Sequence, residues 1–213
     1  QSHGVSGPHL SLSLFCLPLL LPLRNMHKYF LKIPWWVPKL FPQHTWRMPD
    51  REKTVYLTFD DGPHPSITPW VLDQLAAYGA AATFFCIGKN VEQYPNVYLQ
   101  VLTAGHRTGN HTYSHPNGWK TETAAYLDDV KRASVYIGSD LFRPPYGRIK
   151  SGQASRLSGA MNKKNVRVIM WDVLSADFDV TISPHHCAEI VLKHVRPGSI
   201  VVFHDSEKAF QNL

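Results

Sequence analysis

Two adjacent aspartates, Asp60 and Asp61, are the residues of this sequence that most need a chemical explanation. They follow the hydrophobic run TVYLTF of residues 54–59 and precede Gly62-Pro63. Like charges this close together cost free energy unless something positive lies beside them. An Asx turn before Gly62-Pro63 would account for one aspartate but not for two. We therefore expect a cation beside the pair.

A pair of histidines can help to bind that cation. His111 and His115 lie four residues apart, a spacing that places both imidazoles on the same side of one helical turn. With one aspartate they form a set of three protein ligands, which leaves positions for water and is typical of catalytic metal sites. The sequence thus predicts one divalent metal ion, which neutralises one aspartate and lets its neighbour stay ionised.

Short β-rich runs alternate with helix-length amphipathic segments from Thr54 onward. Six strands are predicted, at residues 54–59, at 82–88, shortly before 111, at the start of 141–147, at 166–171 and at 199–203. Helices separate them, one of them capped by Thr68. This alternation predicts right-handed βαβ units and a mainly parallel sheet, which is either open and doubly wound or curled into a barrel.

Polar residues fall just past the carboxyl ends of these strands, which is where α/β proteins bind ligands. They are Asp60 and Asp61 after the first strand, His111 and His115 after the third, Arg143 and Tyr146 after the fourth, Asp172 and Asp177 after the fifth, and His204 after the sixth. We expect them to share one site, although Asp177 alone would fit a solvated loop equally well. The Arg143 guanidinium could hold a carboxylate through two hydrogen bonds.

Five short motifs together resemble the polysaccharide deacetylases of carbohydrate esterase family 4, the nodulation-type deacetylase domain. In order along the chain they are TFDDGPHP, HTYSH, RPPYG, WDVLSADF and VVFHD, and they span nearly all of residues 54–206. The resemblance implies a distorted, incomplete (β/α) barrel with parallel strands. It also implies metal-dependent removal of acetyl groups from a sugar polymer, N-acetyl in preference to O-acetyl, with a cell-wall polysaccharide or oligosaccharide containing N-acetylglucosamine as the main candidate substrate.

The resemblance further implies roles for eight residues. Asp61, His111 and His115 would hold the metal, usually zinc; Asp60 would be the general base that takes a proton from the attacking water, and Arg143 would orient it; Tyr146 would offer its backbone N–H to the oxyanion; His204 would be the general acid, with Asp177 available to pair with it. Two positions depart from the usual fourth motif, since Leu174 stands where an acid is common and Phe178 replaces a tryptophan.

Three segments are predicted along the 213 residues: a hydrophobic stretch within 1–25, a lead-in over 26–50, and the catalytic domain from 51 to 213. The family normally continues with another helix and strand, so we expect the C-terminal part of the domain to be missing and one sheet edge to be unpaired. Residues 10–23 are apolar or carry a hydroxyl group, and the stretch is shorter than a membrane span and similar in length to a signal-peptide core. A signal or membrane anchor, a hydrophobic lead-in and translated upstream sequence all stay open for them.

The net charge of +6 comes without a long Lys/Arg run, which argues against a nucleic-acid partner. We expect an acetylated polysaccharide or oligosaccharide as partner and a cell-envelope or secreted location, with a cytoplasmic one as the alternative. Two other functions stay open. Two histidines and a carboxylate also form the facial triad of non-haem iron enzymes, and Trp119, Tyr146 and Trp171 could stack on sugars in a non-catalytic carbohydrate-binding relative.

Overall fold

The computed structural model describes residues 30–49 and 53–213. Its strands are β1 (Tyr56–Asp60), β2 (Ala82–Cys86), β3 (Arg107–Asn110), β4 (Leu141–Phe142), β5 (Arg167–Val168), β6 (Val173–Leu174) and β7 (Ile200–His204). Its helices are α1 (Val37–Leu40), α2 (Ile67–Ala77), α3 (Gly88–Gln93), α4 (Pro95–Thr103), α5 (Thr123–Ala133), α6 (Ser151–Ala154), α7 (Leu157–Ala160) and α8 (Pro184–His194). Within these two ranges, none of the helices has the length and apolar character needed to cross a membrane. The predicted segment at residues 10–23 lies outside the described residues.

The strands form one parallel sheet in the order β5-β4-β3-β2-β1-β7-β6. β1 lies between β2 and β7, and its last residue, Asp60, is in register with Phe85 on one side and His204 on the other. Because the strands are parallel, their carboxyl ends meet at one edge of the sheet. Asp60 and His204 therefore lie side by side at that edge.

Side chains of β1 alternate between the two faces of the sheet, as in any strand. Phe59 belongs to the apolar cluster that includes Val71 and Leu75 of α2. Thr58 and Asp60 point the other way and both accept hydrogen bonds from the Arg143 guanidinium. The strand pattern thus places the first aspartate of the pair inside the curled sheet.

The sheet is curled so strongly that its two edge strands are neighbours in the chain. β5 and β6 stand at opposite ends of the strand order, yet only residues 169–172 separate them. These residues reach at most about 18 Å, whereas a flat sheet of this many strands is about 29 Å wide. Within the linking segment, Ile169 N–H donates to Phe142 O on the β4 side. Asp172 N–H donates to Ile200 O on the β7 side. The predicted incomplete (β/α) barrel is confirmed.

Residues 169–172 form the seam where the two edges of the curled sheet meet. The lead-in covers the outer edges of the barrel at this seam. Leu174 N–H donates to Leu31 O on the β6 side, and Thr45 N–H donates to Val168 O on the β5 side, each at 2.9 Å. The unpaired edge that we expected is therefore covered at both of these strands. The covering chain comes from the part of the sequence that precedes β1.

Asp172 fastens this lead-in and does not face the site, so its predicted place on the rim was wrong. Its Oδ2 accepts hydrogen bonds from Lys32 Nζ and Ser199 Oγ, each at 2.6 Å. Ser199 directly precedes β7 and so lies at the amino end of the barrel. The physical reason is that the extended run predicted to end at Trp171 continues into β6, so Asp172 lies within the run and not past its end.

Candidate active site

Asp61, His111 and His115 come together at the carboxyl end of the barrel. Asp61 Oδ1 lies 3.6 Å from His111 Nε2 and 3.2 Å from His115 Nε2, and the three candidate ligand atoms are all within 4.8 Å of one another. Asp61 Oδ1 is buried and, within the described part of the chain, accepts no hydrogen bond. A buried carboxylate oxygen without a donor, facing two imidazole nitrogens, is what a divalent cation would satisfy. These residues therefore fit the predicted metal.

The backbone of Arg143 determines which nitrogen of His111 is available to a metal. His111 Nδ1 lies 2.7 Å from the Arg143 carbonyl oxygen, and because a carbonyl only accepts, Nδ1 carries the proton. Burial lowers the pKa of His111 to about 4, so the ring is neutral at neutral pH and Nε2 keeps its lone pair. A neutral imidazole held through its second nitrogen is the usual form of a metal-binding histidine.

Asp61 stays ionised in spite of its burial. Burial alone would raise the pKa of this carboxyl, but the adjacent His115 imidazole and the charge of His204 outweigh burial and hold that pKa well below its ordinary value. An ionised carboxylate is the form that binds a cation. The charge that seemed costly in the sequence is thus balanced by the groups around it.

The loops that carry the site have an unusual backbone. Among the described residues, six that are not glycine have positive φ. Five of them belong to these loops: Asp61, Thr112, His115, Tyr146 and Ala176. L-residues rarely adopt this conformation, and strain of this kind concentrates at functional sites, where the surrounding structure holds it in place.

The helical turn predicted for the two histidines was wrong. Segment 111–115 is an irregular loop, with φ of 67° at Thr112 and 60° at His115. Asn110 Oδ1 accepts a hydrogen bond from Thr112 N–H at 2.8 Å, and Asp129 Oδ1 accepts one from Tyr113 N–H at 2.6 Å. The two imidazoles still meet, with ring centroids 5.0 Å apart, because the loop is held by these side chains and not by helical hydrogen bonds.

Arg143 orients Asp60 through one hydrogen bond, not the bidentate pair we expected. Its Nη1 donates to Asp60 Oδ1 at 2.7 Å and to Thr58 Oγ1 at 2.7 Å. Its other donors are used by the seam, since Nε and Nη2 donate to the carbonyls of Ile169 and Met170, each at 3.0 Å. The guanidinium is fully buried, and through these hydrogen bonds it holds Asp60, the candidate general base, against the strands of the barrel.

His204 is held by the fully buried Asp177. The imidazole Nδ1 lies 2.8 Å from Asp177 Oδ1, and the backbone N–H of His204 donates to Oδ2 at 2.6 Å. Burial alone would lower the pKa of His204, but the charge and hydrogen bond of Asp177, together with the charges of Asp61 and Asp60, raise it to about 9. The structure thus brings Asp177 to the site, and not into a solvated loop.

Two exposed aromatic rings lie near the candidate metal ligands, one in space and the other in the sequence. Tyr146 and Trp119 are each 60% exposed. The Tyr146 ring lies 4.7 Å from that of His115, and Trp119, four residues after His115, donates from Nε1 to Ile149 O at 3.3 Å. Trp171 is less exposed and packs against the core. Sugar stacking on these rings stays a prediction.

Known proteins with the same sequence pattern identify the family. Residues 47–167 match the family model described as polysaccharide deacetylase. A chitooligosaccharide deacetylase of Azorhizobium caulinodans is 35% identical over 166 residues, which cover 75% of this chain and 77% of the relative. The chain belongs to the polysaccharide deacetylase family.

Two further relatives support this membership. A peptidoglycan-N-acetylglucosamine deacetylase of Bacillus cereus is 34% identical over 167 residues, which cover 76% of each chain. A crystal structure of a peptidoglycan N-acetylglucosamine deacetylase, in complex with 4-naphthalen-1-yl-N-oxidanyl-benzamide, superposes with a TM-score of 0.68 at 33% identity and covers 81% of this chain and 80% of that one. The predicted family and enzyme class are confirmed, and neither the iron-enzyme nor the non-catalytic alternative is favoured.

The deacetylase departs from the usual fourth motif without losing the pairing of His204. Leu174 is buried in β6, and Asp177 contacts the imidazole although no acid stands at position 174. Phe178 takes the place of the usual tryptophan and lies edge-on to the His204 ring, with centroids 5.3 Å apart. An aromatic wall beside the histidine is thus retained.

The sequence analysis missed residues that fix the Asp61 loop. Thr68 was expected to cap a helix, but α2 begins at Ile67, and the buried Thr68 hydroxyl donates to Asp205 Oδ2 at 2.5 Å. Asn90 Nδ2 donates to Asp61 O at 2.8 Å. Asp205 could have been found, because it follows His204 directly in the fifth motif. Thr68 and Asn90 offered no such pattern.

Proposed function

We propose that this deacetylase hydrolyses N-acetyl groups of polysaccharides or oligosaccharides that contain N-acetylglucosamine, as found in cell walls. One observation carries the proposal: the three candidate metal ligands converge beside Asp60, which Arg143 holds, and beside His204, which Asp177 holds. Asp60 and His204 are in register on neighbouring strands. A base and an acid beside one cation site suit the hydrolysis of an amide.

Asp60 is the proposed general base. A divalent cation held by Asp61, His111 and His115 would polarise the acetyl carbonyl and make a water molecule more acidic. Asp60 then accepts the proton of that water. The hydrogen bond that Arg143 Nη1 donates to Asp60 Oδ1 fixes the position of the carboxylate. Each acid–base partner of this kind contributes about 10²- to 10⁴-fold to the rate.

His204 is the proposed general acid. An amine leaves an amide only when its nitrogen is protonated, so the acid must carry a proton at the working pH. The raised pKa of His204 meets this need. Asp177 keeps one proton on Nδ1, so that the proton on Nε2 is the one donated to the substrate. The backbone N–H of Tyr146, in its left-handed turn, is the proposed donor to the oxyanion.

Zinc is the proposed metal, since two imidazoles and one carboxylate with room for water form a typical catalytic zinc set. The relatives named above are described as acting on chitooligosaccharides or on peptidoglycan. We propose the same polymer classes for this chain, N-acetyl in preference to O-acetyl groups, and a cell-envelope or secreted location. An association of residues 10–23 with a membrane is part of this proposal.

Acetate release tests the proposal. The purified chain is incubated with chitooligosaccharides, peptidoglycan and acetylated xylan, with chelator and after zinc is restored. Zinc-dependent acetate from an N-acetylated substrate is expected. In Asp60→Asn the rate should fall about 10²- to 10⁴-fold with zinc still bound, whereas Asp73→Asn, an exposed position on α2, should leave it unchanged. Acetate from none of these polymers, or an unchanged rate in Asp60→Asn, would reject the proposal.

A further inference from the structure

Asp205 connects the end of β7 to the loop that carries Asp61. Its carboxylate is almost completely buried at 1% exposure. Oδ1 accepts the backbone N–H of Gly62 at 3.0 Å, and Oδ2 accepts the Thr68 hydroxyl at 2.5 Å. Its own N–H donates to Asp60 O at 3.1 Å. One side chain thus joins segments that lie 143 residues apart.

The contact with Gly62 leaves no room for a side chain. A Cβ on Gly62 would lie 2.0 Å from Asp205 Oδ2, closer than real atoms approach. The glycine between Asp61 and Pro63 therefore allows the carboxylate to reach the backbone. The loop is held from the other side as well, because Ile87 N–H donates to Gly62 O at 2.9 Å.

Asp61 needs such support because its backbone is strained. Its φ of 80° is rare for any residue other than glycine, and strained conformations persist only where the surrounding structure determines them. The Asp205 carboxylate binds the very next amide in the chain. Without that acceptor, Gly62 N–H would be buried and unsatisfied, and the peptide between the two residues would be held only at Asp61 O, by Asn90 Nδ2.

We propose that Asp205 is a positioning residue, which holds the Asp61 carboxylate in the orientation that the metal requires. The inference rests on the metal site of the proposed function. Outer residues that orient metal ligands typically change metal affinity by about 10- to 100-fold when they are replaced. A residue that merely stabilised the fold would lower the free energy of unfolding without this effect on metal affinity.

Zinc affinity, measured by chelator competition on the full chain without substrate, tests the inference. Asp205→Ala should weaken zinc binding about 10- to 100-fold. Asp205→Asn, which keeps an acceptor for Gly62 but not one for the Thr68 hydroxyl, should recover most of the loss. The matched control is Asp172→Ala, which removes another buried aspartate that joins distant segments, at the opposite end of the barrel. It should keep wild-type zinc affinity even where it lowers the free energy of unfolding.

Wild-type zinc affinity in Asp205→Ala, or an equal loss in Asp172→Ala, would overturn the inference. If Asp205→Ala fails to fold, the comparison uses Asp205→Asn, which should still bind zinc more weakly than wild type. The absorption bands of the cobalt-substituted chain give a second readout, because they should change in the Asp205 variants and not in Asp172→Ala. A zinc-loaded wild type that releases no acetate, with the difference between variants preserved, would reject the proposed function alone.

Discussion

Both carboxylate oxygens of Asp177 are bound to His204. Oδ2 accepts the backbone N–H at 2.6 Å, and Oδ1 lies 2.8 Å from the imidazole Nδ1. This double contact fixes the position of the ring and the place of its proton together. It also puts a buried negative charge against the imidazole, which is the main reason that its pKa is raised to about 9 in spite of burial.

The first prediction concerns the pH profile of Asp177→Asn. The acid must be protonated, so kcat/KM should fall as pH rises through the pKa of His204. Removing the charge of Asp177 lowers that pKa, and the alkaline limb should therefore move to lower pH, by about one pH unit or more. A bound divalent cation offsets the charge of Asp61, so the wild-type limb should itself lie below pH 9 when the metal is present.

The measurement is kcat/KM between pH 5 and 10 for both proteins. Asp140→Asn is the control, since Asp140 is half exposed and precedes β4 at the far end of the barrel. Its profile should match that of wild type. Superimposable alkaline limbs for Asp177→Asn and wild type would contradict the pairing.

The second prediction concerns stability and Arg143. Its replacement by Met leaves Asp60 buried and unpaired and removes the donors that bind the seam carbonyls of Ile169 and Met170. We expect the free energy of unfolding to fall by about 3–5 kcal/mol. Urea unfolding measures it. Arg167→Met, at a half-exposed residue 3.7 Å from Asp140, should cost less than about 1 kcal/mol, and equal losses in the two variants would argue against a buried ion pair.

The third prediction concerns metal content. His115→Gln removes one of the candidate ligands, so the purified variant should retain little zinc after dialysis, while wild type keeps about one ion per chain. His106→Gln is the control, because His106 is also largely buried but its Nδ1 accepts the Ala82 N–H. Zinc is measured by elemental analysis. Equal zinc in His115→Gln and His106→Gln would remove His115 from the ligand set.

The fourth prediction concerns substrate binding at Trp119. The ring is exposed, and the Arg148 guanidinium lies 5.2 Å from its centroid. Loss of a stacking ring should raise KM for an oligosaccharide about 3- to 10-fold with little change in kcat, which is the pattern of lost uniform binding. Steady-state kinetics of Trp119→Ala test this. Trp70→Ala should leave KM unchanged, since the Trp70 ring packs edge-on against Phe210.

The sequence by itself predicted the fold class and the family, and it indicated most of the residues that the structure brings together at the candidate site. Strand ends can be recognised locally, and in a parallel sheet all carboxyl ends meet, so Asp60, Asp61 and His204 had to share one rim. A set of two histidines and one aspartate followed from residue types and spacing, whereas the choice of Asp61 and of zinc came from the resemblance to the family. Even the pairing of Asp177 with His204 was available once the motifs were aligned.

Only the tertiary structure decided how those residues are held. Contacts between distant segments decide three features of the site. Arg143 donates only one hydrogen bond to Asp60, the loop that carries the two histidines has residues with positive φ, and Asp172 binds the lead-in and not the site. Asp205 binds Gly62, which lies 143 residues away in the sequence. The spacing of hydrophobic residues along the chain cannot predict such a contact. Hydrophobic spacing encodes where elements begin and end, whereas the packing of the curled sheet determines which side chains meet.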